Sequence, residues 1–134
     1  MMPAPADKHG VVVVRSSHPP TVTVDRLEAL LHSKQFRIFA RIDQALEAAQ
    51  VGLILRPTIL LLFGDPRSGT ALMQASTTAA LDLPLRIVAW QDDQQQSWVT
   101  YDDPAYLGYR HQLPDSLVAK INGIHSLVEV ATAH

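Results

Sequence analysis

The chain alternates between short runs that are apolar at every position and longer segments whose apolar residues recur at helical spacing. Val11 to Arg15 is a β-branched run bounded by Gly10 and "SSHPP". It predicts a first strand, because helices rarely run so short. In "TVTVDRLEALLHSK", Val24, Leu27 and Leu31 recur on one helical face. Thr21 or Thr23 is placed to cap the free N–H groups of that helix, and His32 and Lys34 suit the negative end of its dipole. "FRIFARI" sets Phe36, Ile38, Ala40 and Ile42 against Arg37, Phe39 and Arg41. A period of two predicts a half-buried strand. Asp43 then caps a short helix, "QALEAAQV", which Gly52 ends in the left-handed conformation that other residues avoid. "TILLLF" is a third strand. Thr70 is expected to cap a third helix running to about Leu81, stopped by Pro84 in "DLP". "LRIVAWQ" and "SWVTY" read as a hairpin around "DDQQQ", and Asp103 with Pro104 opens a short helix to Tyr109. A last helix starts near Asp115 and carries Leu117, Ile121, Ile124 and Val128 on one stripe, despite Gly123.

The order is therefore β-α-β-α-β-α-β-β-α-α, with an antiparallel fourth and fifth strand. This predicts an α+β fold, a two-layer sandwich whose mainly antiparallel five-stranded sheet carries helices on one face. A doubly wound parallel α/β sheet is the competing architecture, since strands and helices alternate through the first half. A sheet covered on one side should alternate apolar and polar residues, as the second strand does, whereas Val11 to Val14 and Ile59 to Phe63 are apolar throughout. Both faces of those strands need cover, and Trp90, Trp98 and Tyr101 are expected to add to the second one. A second copy of the chain is the favoured cover, ahead of a curled sheet or an apolar ligand.

Composition narrows the partners. A chain of 134 residues is long enough for one core that buries about two-thirds of its unfolded surface. One domain is expected over 10–134, after a mobile tail at 1–9. With 11 basic and 13 acidic residues and a net charge of -2, no field exists to hold nucleic acid or an anionic membrane. The absence of cysteine removes disulfides, thiolate nucleophiles and cysteine-based metal sites. "MMPAPADKHG" lacks the apolar core of a signal peptide and "VVVV" is too short to span a bilayer, so the expected location is cytoplasmic.

The most suggestive chemistry lies in "FGDPRSGTALM". Gly64 and Gly69 match the spacing of a nucleotide loop, between a strand and a helix. The chemistry of such a loop is missing: Thr70 stands where the lysine belongs, Ala71 where the magnesium-binding hydroxyl belongs, and Asp65 adds a negative charge. The plainer reading is that Gly64, Pro66 and Gly69 shape a turn and Thr70 caps the helix, with weak anion capture near Arg67 as the alternative. The six histidines form no zinc-binding spacing, so no metal is expected and no cofactor is indicated. Adjacent acids at Asp92–Asp93 and Asp102–Asp103 read as turn caps. Asp82, an acid at a helix end, calls for a partner, and Arg86 and Arg110 are the candidates.

Taken together, "FGDPRSGTALMQ", "DLPLRIVAWQD", "VTYDDPAYL" and Arg110–His111 resemble the domain of unknown function 302 family, small bacterial proteins, from about Val11 to Val128. The family usually has asparagine-proline-lysine at Asp65-Pro66-Arg67, and commonly an aspartate-histidine pair at Asp43-Gln44. The resemblance implies a fold like that of the TATA-binding protein, β-α-β(4)-α with two short inserted helices, and commonly a homodimer. It implies no DNA binding, since fold does not carry function. The structural positions of the motif are Gly64, Pro66, Gly69, Thr70, Pro84, Asp103 and Pro104. The ligand-binding candidates are Asp82, Tyr101, Arg110, His111 and Arg67. Three functions are open: a non-enzymatic homodimeric module taking a small apolar or anionic ligand, a small enzyme using Tyr101 and His111 for proton transfer on an anionic substrate, or a purely structural subunit.

Overall fold

The structure, a computed structural model, describes residues 9–134. Apart from His9, the tail expected over residues 1–9 lies outside the described residues. Strands β1 (Val11–Ser16), β2 (Arg37–Asp43), β3 (Thr58–Gly64), β4 (Leu85–Gln91) and β5 (Ser97–Asp102) form one sheet in the order β1-β5-β4-β3-β2. Each neighbouring pair is antiparallel. That overturns the doubly wound alternative, which needs parallel neighbours, and agrees with the α+β expectation. Helices α1 (Pro20–Ser33), α2 (Gln44–Gln50), α3 (Pro66–Ala75), α4 (Pro104–His111), α5 (Asp115–Val118) and α6 (Ile124–Thr132) complete the fold.

Residues directly opposite in an antiparallel ladder share a face. Val12 faces Tyr101, Val14 faces Val99, Val99 faces Ala89, Ala89 faces Ile59 and Ile87 faces Leu61, and all are buried. This face meets Val24, Leu27 and Leu31 of α1 and Leu127, Val128 and Ala131 of α6. Because β1 and β2 lie at opposite edges, the chain of α1 that links them passes over the sheet and packs on α6. Polar contacts fasten the pair: Arg26 Nε of α1 donates to the Ala131 carbonyl at 2.9 Å and Nη2 to the Val130 carbonyl at 3.2 Å. The opposite face of the sheet presents Val13, Leu60, Leu62, Val88, Trp90 and Trp98, all only half-buried. Trp90 and Trp98 stack there with centroids 6.2 Å apart. Tyr101, expected on that side, is instead buried under the helices at 3% exposure.

Four local expectations change. Neither Thr21 nor Thr23 caps α1: Pro19 holds the cap position, and the buried Thr23 hydroxyl donates back to the Pro19 and His18 carbonyls and bonds Ser16 Oγ at 2.7 Å. β2 breaks its alternation with a bulge between Ile38 and Ala40. The extra residue, Phe39, shifts the phase, so Ile38 opposes the buried Phe63 while Arg41 opposes the buried Leu61 and reaches Asp25 and Glu28 of α1. α3 begins four residues before Thr70. Asp65 accepts the Arg67 N–H at 3.0 Å and Pro66 fills the first turn, a stronger start than a threonine further on. Gly64 therefore ends β3 and Gly69 lies inside a helix, so the two glycines frame no phosphate loop. The expected last helix is divided into α5, a 3-10 turn at Ala119–Ile121, and α6 starting after Gly123. The caps at Asp43, bonded to the Leu46 N–H, and at Asp103, bonded to the Ala105 N–H, follow the sequence.

Gly10 is held by its surroundings. Its φ is +81°, its carbonyl accepts the Asp103 N–H at 2.8 Å, and a Cβ built there would lie 2.1 Å from Tyr106 Cγ. Gly52 has φ +78° with open space around it. Gly52→Ala is expected to cost about 1–2 kcal/mol from backbone strain alone. Gly10→Ala adds a ring clash, and its urea midpoint should fall clearly further than that of Gly52→Ala.

Candidate functional site

The 3-10 turn at Thr77–Asp82 delivers Asp82 into the protein with only 4% of its surface exposed. A carboxylate so placed needs partners, since an unpaired buried charge is expensive. Three converge on it. His111 Nε2 lies 2.6 Å from Oδ2, Arg86 Nη2 donates to Oδ1 at 3.0 Å, and Arg110 Nη1 donates to Oδ2 at 3.2 Å. Both arginines foreseen as alternatives are therefore engaged. Arg86 also donates to Asp102 Oδ2 at 3.0 Å, tying the cluster to the end of β5. His111 and Arg110 arrive from the last turn of α4, which closes at Gln112 in the left-handed region. Gly108 lets α5 approach that helix, since a Cβ there would meet Val118 Cγ2 at 2.5 Å.

On its other side, His111 Nδ1 meets Thr78 Oγ1 at 2.9 Å. Hydroxyl, imidazole and carboxylate thus form a hydrogen-bonded chain, an arrangement able to pass a proton away from Thr78. The cavity against His111 holds only about 10 Å³, the room of a single water. The cluster is therefore built foremost as a closed set of charge-assisted bonds that ties the 3-10 turn, β4, β5 and α4 together.

Two of the sequence candidates lie elsewhere. The Tyr101 hydroxyl bonds His125 Nδ1 of α6 at 2.6 Å, and the rings meet edge to face at 5.5 Å. Burial pushes the Tyr101 phenol well above its ordinary value, and the negative charges of Asp103 and Glu129 add to the shift. Arg67 is almost fully exposed and folds back on Asp65, with Nε 3.3 Å from Oδ1. The Arg67 backbone N–H, then its guanidinium, hold the Asp65 carboxyl below the usual carboxylate range, with a smaller share from the charge of Lys120. Asp82, Arg110 and His111 are brought together; Tyr101 and Arg67 each stand apart from them.

A second cavity lies in a different place, an opening of about 490 Å³. Its walls come from the start of β2, the end of β3, the first turns of α3, the Leu83–Leu85 segment and the Lys120–Leu127 segment. Phe36, Phe63, Leu72, Leu85, Ile124 and Leu127 make the interior apolar. Phe36 and Phe63 meet edge to face at 6.3 Å. Lys34, Arg37 and Lys120, all exposed, stand at the mouth. The "GDPRSGT" stretch borders this cavity through Gly64, Asp65, Pro66, Ser68, Gly69 and Thr70, so the motif forms part of a cavity wall and not a phosphate loop. None of the three cations is a ligand candidate from sequence, because each belongs to a different element and nothing local announces that they line one cavity.

The fold has a parallel among known proteins. Residues 12–129 match the model of a domain of unknown function, DUF302. The chain belongs to the DUF302 family. A DUF302 protein from Bacillus stearothermophilus, described as an uncharacterised conserved protein, has the same fold with a TM-score of 0.75 at 17% identity, over 92% of this chain and 95% of that one. Among curated proteins, the DUF302 chain is 43% identical over 104 residues to "Fluoride-specific ion channel FluC 1" of Brucella suis biovar 1 (strain 1330), covering 78% of this chain and 41% of that protein. A "Fluoride-specific ion channel FluC 2" of Brucella melitensis biotype 1 matches equally, over 38% of its length. The chain thus spans about two-fifths of the curated relatives it matches. Among the described residues, no helix is long and apolar enough to cross a membrane.

A pH dependence follows from Tyr101. Its raised pKa means that the folded state keeps the phenol protonated while the unfolded chain releases the proton near pH 10. The stability it contributes is fully present below that value and declines as pH rises through it. Urea titrations between pH 8 and 11 should show this alkaline decline in the parent protein and a flatter one in Tyr101→Phe, which also loses about 1 kcal/mol at neutral pH with the His125 bond.

Proposed function

We propose that this DUF302 domain is a non-enzymatic binding module that works as a homodimer and takes a small apolar or anionic ligand. The observation that carries the reading is the cavity of about 490 Å³, whose size and apolar walls fall in the range of ligand sites. An enzyme built on Tyr101 and His111 would need both side chains on one substrate. Tyr101 is engaged with His125, and His111 with Asp82 and Thr78, which favours binding over proton transfer. A purely structural subunit would have no use for such a chamber.

The homodimer rests on the uncovered sheet face with Leu60, Leu62, Val88, Trp90 and Trp98. It rests also on the segment between α2 and β3, where Val51, Leu53, Ile54 and Leu55 are all exposed. Contiguous apolar surface of this kind marks interaction sites on folded proteins. The relatives named as fluoride-specific ion channels, about two-fifths of whose length this chain matches, suggest a related role for the domain beside a transport protein. A cytoplasmic location belongs to the same reading.

Two measurements test it. Dodecanol, a neutral apolar probe held at about 100 times its dissociation constant, should add ~2.7 kcal/mol of stability. Met73→Trp, which fills the cavity from α3, should abolish that gain; an unchanged gain would place the probe elsewhere. In sedimentation, the parent chain should run at twice the mass of one chain and Trp90→Asp at the mass of one, with its circular dichroism retained. A parent protein that stays single at high concentration would end the dimer reading.

A further inference from the structure

We infer that the cavity is specific for an anionic amphiphile, a molecule with an aliphatic body and one anionic head group. The inference rests on the ligand-binding reading above and adds the chemistry of the ligand. The interior of the chamber is closed by Phe63, Leu72, Ile121, Ile124 and Leu127, all buried. Ser68 and Thr70 of α3 are the neutral polar side chains of a lining that is otherwise mostly apolar, which suits a ligand with an apolar body.

The mouth is different. Lys34 follows α1, Arg37 opens β2 and Lys120 sits in the 3-10 turn between α5 and α6, so three separate elements each contribute a cation to the lining of one cavity. Three cations on one lining favour an anion placed among them, and the one opposing charge there, Asp65, already feels the charge of Lys120 as well as that of Arg67. No ion pair links any of the three to an acidic side chain among the described residues. Arg37 Cζ lies 5.3 Å from the centroid of the Phe39 ring, which also lines the cavity, and this contact uses no carboxylate partner. The one carboxylate that lines the cavity, Asp65, is already committed. It accepts the Arg67 backbone N–H, faces the Arg67 guanidinium and caps α3. An incoming anion therefore meets three cations and one carboxylate that is paired with Arg67. A cationic amphiphile would meet the reverse.

Isothermal titration of the full chain with dodecanoate, dodecanol and dodecyltrimethylammonium tests this. Dodecanoate is expected to bind at least about ten-fold more tightly than dodecanol, and dodecyltrimethylammonium more weakly than either. The triple substitution Lys34→Gln, Arg37→Gln and Lys120→Gln, at exposed positions, should remove the preference for dodecanoate and leave dodecanol binding intact. Raising the salt from 50 to 500 mM should narrow the preference in the parent chain only. If dodecanoate and dodecanol bind alike to the parent chain, the head-group inference falls while the binding module stands. If no probe binds and Met73→Trp behaves as the parent does, the module reading falls with it.

Discussion

Burial of one face of the antiparallel sheet beneath α1 and α6 is the interaction on which the other features depend. Leu27 and Leu31 of α1, Leu61 of β3, Ile87 of β4, Val99 of β5 and Val128 of α6 are wholly removed from water. Each such side chain contributes roughly 1.5–3 kcal/mol, whereas an exposed ion pair contributes about 1 kcal/mol or less. Pairs such as Arg67 with Asp65 therefore adjust local geometry, and the apolar layer decides the architecture. It also explains the strand order. Only when α1 leads the chain from one edge of the sheet to the other can its stripe cover the central strands and pair with α6.

The cavity is where that layer remains incomplete. At the β2–β3 edge the sheet is met by α3 and by the link between α5 and α6, and the space between them remains open. Leu72, Leu83 and Ile121 line both this cavity and the small space beside His111, so the ionic cluster and the chamber share a wall. Asp82 immediately precedes Leu83 and Pro84, and its bonds to Arg86, Arg110 and His111 hold that wall against α4. A residue set that resembles catalytic equipment in sequence thus serves the chamber at one remove, by fixing the backbone that bounds it.

The family likeness fits this division. A DUF302 protein 17% identical to this chain keeps the fold across nearly its whole length, as expected where apolar patterning and strand pairing are retained while individual residues drift. The helix caps at Asp65 and Asp103, each followed by proline, anchor two of the places where the chain turns from strand to helix. Both sit within the motifs that first suggested the family.

Strand and helix identity, the hairpin, the caps at Asp43 and Asp103 and the need of Asp82 for an arginine were legible in the chain, because each is settled by residues within a few positions of one another. α3 was also legible in principle. The Asp65-Pro66 pair is a stronger start than Thr70, although the spacing of Gly64 and Gly69 imitates a loop. The bulge at Phe39 was not, since a strict apolar alternation in "FRIFARI" looks the same with or without an extra residue until β3 supplies the register. Nor was the division of the last helix at Gly123, the turning of Tyr101 toward His125, or the placing of Lys34, Arg37 and Lys120 on the lining of one cavity. Those arrangements join positions far apart along the chain. Local sequence carries the cost of a cap or a turn, but the energy of a shared wall or a common lining exists only once distant elements have packed.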